Sequence, residues 1–170
     1  MAIEHDFFGV VEASGDGSAY WSENVELGDR SVDVSLLADD AEELREDDLD
    51  LVQAMIVTLE GIDRQTRESM VVELGDRSSV TVAYVDALVE ELGESIHDIL
   101  AVSSGDLPID ILRSLLVTRI EFRPLSRGDD DVFAVFEYTL GEDLSDDYLV
   151  ASLNRSGEMV DTEIQGDGNG

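Results

Sequence analysis

The side chains able to move protons near neutral pH are two histidines, His5 and His97, set among 41 aspartates and glutamates. His97 stands beside Asp98, and a histidine–carboxylate pair is a common means of general acid–base catalysis. The spacing works against that use. The surrounding residues read as a helix, and neighbouring helical positions do not face each other. His97 therefore reads as a surface histidine, and His5 as a residue near a flexible start. No G-x-S-x-G elbow, H-E-x-x-H pair or phosphate-binding G-x-x-x-x-G-K-[ST] loop occurs in the chain. With no cysteine, thiol catalysis, disulfides, zinc–thiolate sites and iron–sulfur clusters are excluded.

Oxygen ligands for a metal are densest at Asp129-Asp130-Asp131, at Asp143 with Asp146-Asp147, and at Asp167 and Asn169. None has the calcium-loop spacing of alternate ligands, a central glycine and a closing glutamate. With so many acids some clustering arises by chance, so weak adventitious divalent binding is expected and a dedicated metal site is not. A carboxylate pair for glycoside hydrolysis would be assembled in space and has no sequence spacing to look for. Nothing in the chain singles one out. Asn154-Arg155-Ser156 matches the N-glycosylation triplet, but the start, MAIEHDFFG, has neither the basic nor the apolar segment of a secretion signal. Sequence alone assigns no catalytic, cofactor-binding or metal-binding residue.

The charge balance is extreme. Forty-one acids face ten basic residues, all arginine, for a net charge of −31. Solubility of a small domain needs a magnitude of only about 2 to 8. Nucleic-acid backbones and anionic membranes would be repelled, whereas basic proteins would be attracted and steered. Two readings follow: an acid-rich composition shared with other proteins of its source, or a surface made for a basic partner. No apolar run approaches the roughly 20 residues of a membrane helix, and a cytoplasmic location is expected.

The elements that would position any site fall into three groups. Residues 8–13 predict a first strand, and Ser14-Gly15-Asp16-Gly17 a turn. In the next strand Trp21, Val25 and Leu27 share one parity, broken by Glu23, which predicts either a sheet end or a bulge there. Val32, Val34 and Leu36 alternate with Ser31, Asp33 and Ser35, completing an antiparallel meander with one buried face. The period then changes. Leu49, Val52, Met55, Ile56 and Leu59 predict a helix over 46–60 that Gly61 ends or kinks. Ile62, Thr66, Met70, Val71 and Leu74 form a second stripe, with Gly75 just past its end. Ser78 or Ser79 caps a third helix with stripe Val82, Val85, Leu88, Val89 and Leu92. A short helix over 94–102 follows, and Pro108 opens another that ends near Leu115.

Strand periodicity returns with Thr118, Ile120 and Phe122 set against Arg119, Glu121 and Arg123. Residues 132–140 are nearly continuously apolar and 148–153 form a second apolar run, so both read as central strands. Between them residues 141–147 read as a solvated acidic loop. Asn154-Arg155-Ser156-Gly157 reads as a turn, and Val160, Thr162 and Ile164 as one face of a last strand. Phe133, Phe136, Tyr138, Tyr148 and Trp21 read as core rings: aromatic strands bind single-stranded nucleic acid only beside basic residues. The heptapeptide VELGDRS occurs at 25–31 and again at 72–78. Its flanks are strand-like in one copy and helical in the other, which predicts two different backbones and no duplication.

The stretch FAVFEYTLGEDLSDDYLVASLNRSGEMV, with HDFFGVVE near the start, resembles a bacterial family known as domain of unknown function two-thousand-and-four. The resemblance spans most of the chain in the order strands, helices, strands. It implies a small α+β domain and carries over no catalytic residue. Similar small α+β families include immunity proteins that neutralise toxins. The combined expectation is one α+β domain over residues 1–164 with a flexible tail at 165–170. Its sheet is mostly antiparallel, drawn from N-terminal and C-terminal strand groups, with the central helical segment packed on one face. The expected function is non-enzymatic binding of a basic protein, of immunity type. The alternative is an enzyme with a cryptic carboxylate or metal-assisted site. Three or more convergent carboxylates in a pocket would favour the enzyme.

Overall fold

A computed structural model describes residues 2–28, 30–100, 104–126, 128, 131–141 and 147–166. The fold is α+β. Strands β3 (Ala19–Leu27), β4 (Arg30–Ala38), β5 (Leu116–Phe122), β6 (Ala134–Thr139), β7 (Asp147–Leu153) and β8 (Met159–Gly166) form one sheet in that spatial order. Every neighbouring pair is antiparallel except β4 and β5, which run parallel. The parallel pair is where the chain leaves for its helical segment and returns, because a parallel neighbour requires a long crossover. That segment comprises α1 (Glu46–Val57), α2 (Leu59–Glu73), α3 (Val80–Leu92), a 3₁₀ turn (Gly93–Ser95), α4 (Ile96–Ile99) and α5 (Leu107–Ser114).

One parity of the sheet meets the helices. Val32, Val34, Leu36, Val117, Ile120, Phe122, Ala134, Phe136, Tyr138, Leu149, Ala151 and Leu153 are each 2% exposed or less. They pack with Leu49, Val52, Met70, Tyr84, Leu88, Ile111 and Leu112 in one core. A strand keeps one parity dry only where a helical stripe covers it, so the alternation in β4 and β5 follows from a single helical layer. β6 and β7 are interior strands, as their unbroken apolar runs predicted. β3 and β4 lie in the same sheet as these two strands and leave their second face to other parts of the chain. The acidic loop at 142–146 lies outside the described residues.

Other expectations need correction. Residues 8–13 do not form the first strand of the meander. β2 (Gly9–Glu12) pairs instead with β1 (Ala2–His5) in a separate hairpin, followed by an isolated Ala13–Ala19 bridge at the start of β3. The hairpin is docked by Phe8, whose ring meets Trp21 edge-on at 4.6 Å. His5 is consequently buried, not part of a flexible start. No bulge or sheet end occurs at Glu23, which pairs in regular register with Val34. β3 is an edge strand, and an inward-parity charge there discourages pairing with another chain.

The first helical break falls at Thr58, not Gly61. Thr58 has non-helical dihedrals, and its hydroxyl donates to the Ala54 carbonyl at 2.8 Å. Gly61 lies exposed in the first turn of α2. Gly75 does not adopt positive φ. The end of α2 is tightened instead by three-residue hydrogen bonds from the Leu74, Gly75 and Asp76 amides. The buried stripe of α3 is Thr81, Tyr84, Val85 and Leu88, rotated from the expected set. Ser79 is its cap, accepting from the Val82 amide at 3.2 Å. The helix expected over 94–102 is only the 3₁₀ turn and α4, and 101–103 lie outside the described residues. In β8 only Thr162 of the expected apolar face is buried, because β8 is the other edge strand.

The two VELGDRS copies differ. In the first, strand β3 runs into a turn with Gly28 at φ +64°; in the second, α2 ends and Gly75 keeps negative φ.

Candidate functional site: the uncovered sheet face

The parity that does not meet the helices forms the second face of the sheet. Register places Tyr20, Ser22, Asn24 and Glu26 of β3 beside Leu37, Ser35, Asp33 and Ser31 of β4. Asp33 and Ser35 then neighbour Arg119 and Glu121 of β5, and these neighbour Glu137 and Val135 of β6. The face continues through Val150 and Ser152 of β7 to Glu163 and Asp161 of β8. A β-bulge between Val117 and Arg119 resets the parity of β5, so Leu116 and Arg119 both belong to this side. Toward β7 the face closes over, with Val150 and Ser152 buried. Toward β3 and β4 it is open: Tyr20 is 57% exposed and its cross-strand partner Leu37 is 37% exposed.

Three shallow hollows lie side by side here. The largest of the three, about 510 Å³, is bounded by Tyr20, Ser22, Glu23, Asn24, Asp33, Val34, Ser35 and Arg119. A second of about 400 Å³ shares Asp33 and reaches Arg30, Leu116 and Thr139. A third of about 140 Å³ shares Arg119 and holds Glu121, Arg123, Glu137 and Gln165. Asp33 and Arg119 are register neighbours on the parallel pair, so all three meet at that point. No family model, no curated protein and no solved structure matches this chain. The site must therefore be read from its own chemistry.

That chemistry is acidic. Among the described residues of this parity, Glu26, Asp33, Glu121, Glu137, Asp161 and Glu163 stand with Arg119 and Arg123, and Arg30 borders the second hollow. Arg123 pairs with Glu121 at 3.0 Å, and Arg119 lies in register between Asp33 and Glu137. Burial raises the pKa of Glu137, opposed by the charge of Arg119 and assisted by that of Glu121. Each of these hollows offers at most two carboxylates. Among the described residues no group of three or more histidines and acids is arranged to hold a metal ion.

The residues weighed from sequence are scattered. His97 and Asp98 are both exposed on α4, away from this face. His5 pairs with Asp50 at 2.7 Å, where it joins the hairpin to α1. The Phe7 amide donates to His5 Nδ1, so the hydrogen sits on Nε2 and points at Asp50. Asp131 accepts from the Gly128 amide; Asp129, Asp130, Asp143, Asp146, Asp167 and Asn169 lie outside the described residues. Asn154 of the glycosylation triplet is buried, and its Oδ1 accepts from the Ser156 and Glu158 amides to hold the β7–β8 turn. Phe133, Phe136 and Tyr138 are core rings, while Trp21 and Tyr148 are half-buried. Sequence reading did not pick out Tyr20, Leu37 or Glu137. The signal for the first two was present: they are the large side chains on the wet parity of their strands.

Proposed function

We propose that this protein is a non-enzymatic module that binds a basic protein on the uncovered face of its sheet, as an immunity-type partner would. The observation that carries the reading is the charge balance on that face: six carboxylates stand with Arg119 and Arg123, a surplus of acid beside exposed Tyr20 and Leu37. Tyrosine and apolar side chains inside a charged rim are the usual composition of a protein-binding patch. The surplus charge would steer a cationic partner and set its orientation. Nucleic acid and anionic membranes are not partners in this reading, because a chain of −31 repels both. Cytoplasmic residence belongs to the same proposal. So does kinship with the domain family that the C-terminal stretch resembles.

The test is capture from the native lysate on immobilised wild-type protein and on Asp33→Arg. Asp33 is exposed, so its reversal leaves the core untouched. A basic protein should be retained by the wild type at low salt, released at about 1 M salt where the screening length is about 3 Å, and not retained by the variant. Equal retention by both would refute the assignment of the face.

A second reading rests on Glu137. A half-buried carboxylate with a raised pKa beside a second carboxylate, Glu121, has the form of a proton-transfer pair. It would be favoured if Glu137→Gln abolished a hydrolytic activity while leaving partner capture intact.

A further inference from the structure

On the helical side of the molecule, three of the chain's ten arginines converge on one hollow of about 340 Å³, bounded by Arg64, Arg67, Glu68 and Arg113. It lies where α2 packs on α5. Arg113 grips Glu68 through two bonds, Nε to Oε2 at 3.0 Å and Nη2 to Oε1 at 2.8 Å. Arg67 donates Nη1 to the Arg113 carbonyl at 2.8 Å and Nη2 to Asp63 at 3.1 Å. Its Nε is buried without an acceptor, the only such side-chain atom among the described residues. Arg64 is exposed and makes no hydrogen bond or ion pair with any described residue.

This arrangement runs against the rest of the molecule. In a chain with four acids for every arginine, an arginine is easily provided with a carboxylate, yet Arg64 has none. It stands three residues from Arg67 on the same helix, where like charges destabilise the helix slightly. The lining of the hollow itself is three guanidinium groups and one carboxylate, Glu68, while Asp63 and Asp110 stand behind it beside Arg67 and Arg113. Two of the guanidinium groups are already fixed in place by their own bonds, which is the preorganisation that an oxyanion site requires. Guanidinium groups match tetrahedral oxyanions through paired donors, and no lysine competes for that role in this chain.

We infer that this hollow is a binding site for the phosphate group of a small ligand, with Arg64 as the group that closes on it and Arg67 and Arg113 as its fixed walls. The site accepts a small anion and not a polyanion. The field of the whole molecule repels an extended phosphate chain, while near 0.15 M salt that field is screened within about 8 Å and the local arginines dominate.

Inorganic phosphate is the probe, titrated calorimetrically into the full chain in 0.15 M potassium chloride. The expected result is saturable binding at one site per chain. Arg64→Gln should weaken it about tenfold, the loss of one charge-assisted hydrogen bond, with no change in melting temperature. Arg77→Gln, at the exposed α2–α3 corner outside the hollow, should bind phosphate like the wild type. Glu68→Gln removes the carboxylate that occupies Arg113 and should tighten binding. Non-saturable binding, or equal affinity in the wild type and Arg64→Gln, would overturn the proposal, as would a matching loss in Arg77→Gln.

Discussion

Asp63 shows what a single buried charge does in this fold. It is 8% exposed, accepts the Tyr138 hydroxyl at 2.8 Å and pairs with Arg67 at 3.1 Å, which ties α2 to the centre of the sheet. Burial raises its pKa, against the charge of Arg67 and the Tyr138 hydrogen bond. The folded protein therefore holds this proton more tightly than the unfolded chain does. The stability that Asp63 contributes is present at low pH and is lost as pH rises from the ordinary aspartate range through the raised value. Tyr138→Phe should cost about 1 to 3 kcal/mol in denaturant melts, because it leaves a buried carboxylate oxygen without its donor.

Asp110 has the opposite sign. Hydrogen bonds from the Ser104 hydroxyl and amide hold its pKa down. Its contribution is present above the ordinary aspartate pKa and is lost as pH falls toward the lowered one. Asp110→Asn should therefore reduce stability at neutral pH, and its difference from the wild type should shrink as pH falls below the usual aspartate range toward the lowered pKa. A pH series of urea midpoints for wild type and variant would check this. Neither residue was singled out in the sequence. Asp63 falls on the buried stripe with Leu59, Thr66 and Met70, so helical period alone places it inside. Its acidity disguised it among 41 acids.

At the scale of elements, the sequence was most legible where the apolar period was clean. The wet and dry parities of β4 and β5, the Ser79 cap, the Pro108 start of α5 and the positive φ of Gly157 all follow from local chemistry. Illegible were the features set by partners far along the chain. The β1–β2 hairpin is held where Phe8 meets Trp21 and His5 meets α1, and β8 is exposed because it is an edge strand among the described residues. Two predictions separate these cases. Phe136 is fully buried on an interior strand, stacked on Tyr138 at 6.3 Å. Phe136→Ala should cost about 3 to 5 kcal/mol, measured as a fall in the urea midpoint of the whole transition. Phe8→Ala should instead speed amide exchange in β1 and β2 while β5 to β7 remain protected, because the hairpin opens as a unit of its own.

For the whole molecule, charge dominates. A net charge of −31 strains the compact state through self-repulsion, and salt relieves it. The melting temperature should therefore rise between low and about 1 M potassium chloride, by the same amount in Asp33→Arg and wild type within the effect of the two charges altered. The candidate site was only half legible for the same reason. Sequence showed the sign of the charge but not its placement, because Asp33, Arg119 and Glu137 come together only through the registers of β4–β5 and β5–β6.

The most direct test of the central claim is a footprint of amide exchange on this chain with its captured basic partner. The account predicts slowed exchange over residues 20–26, 31–37 and 119–123, centred on Asp33, which disappears at about 1 M salt. Protection confined to the helices, or protection of the sheet that persists unchanged in salt, would contradict it.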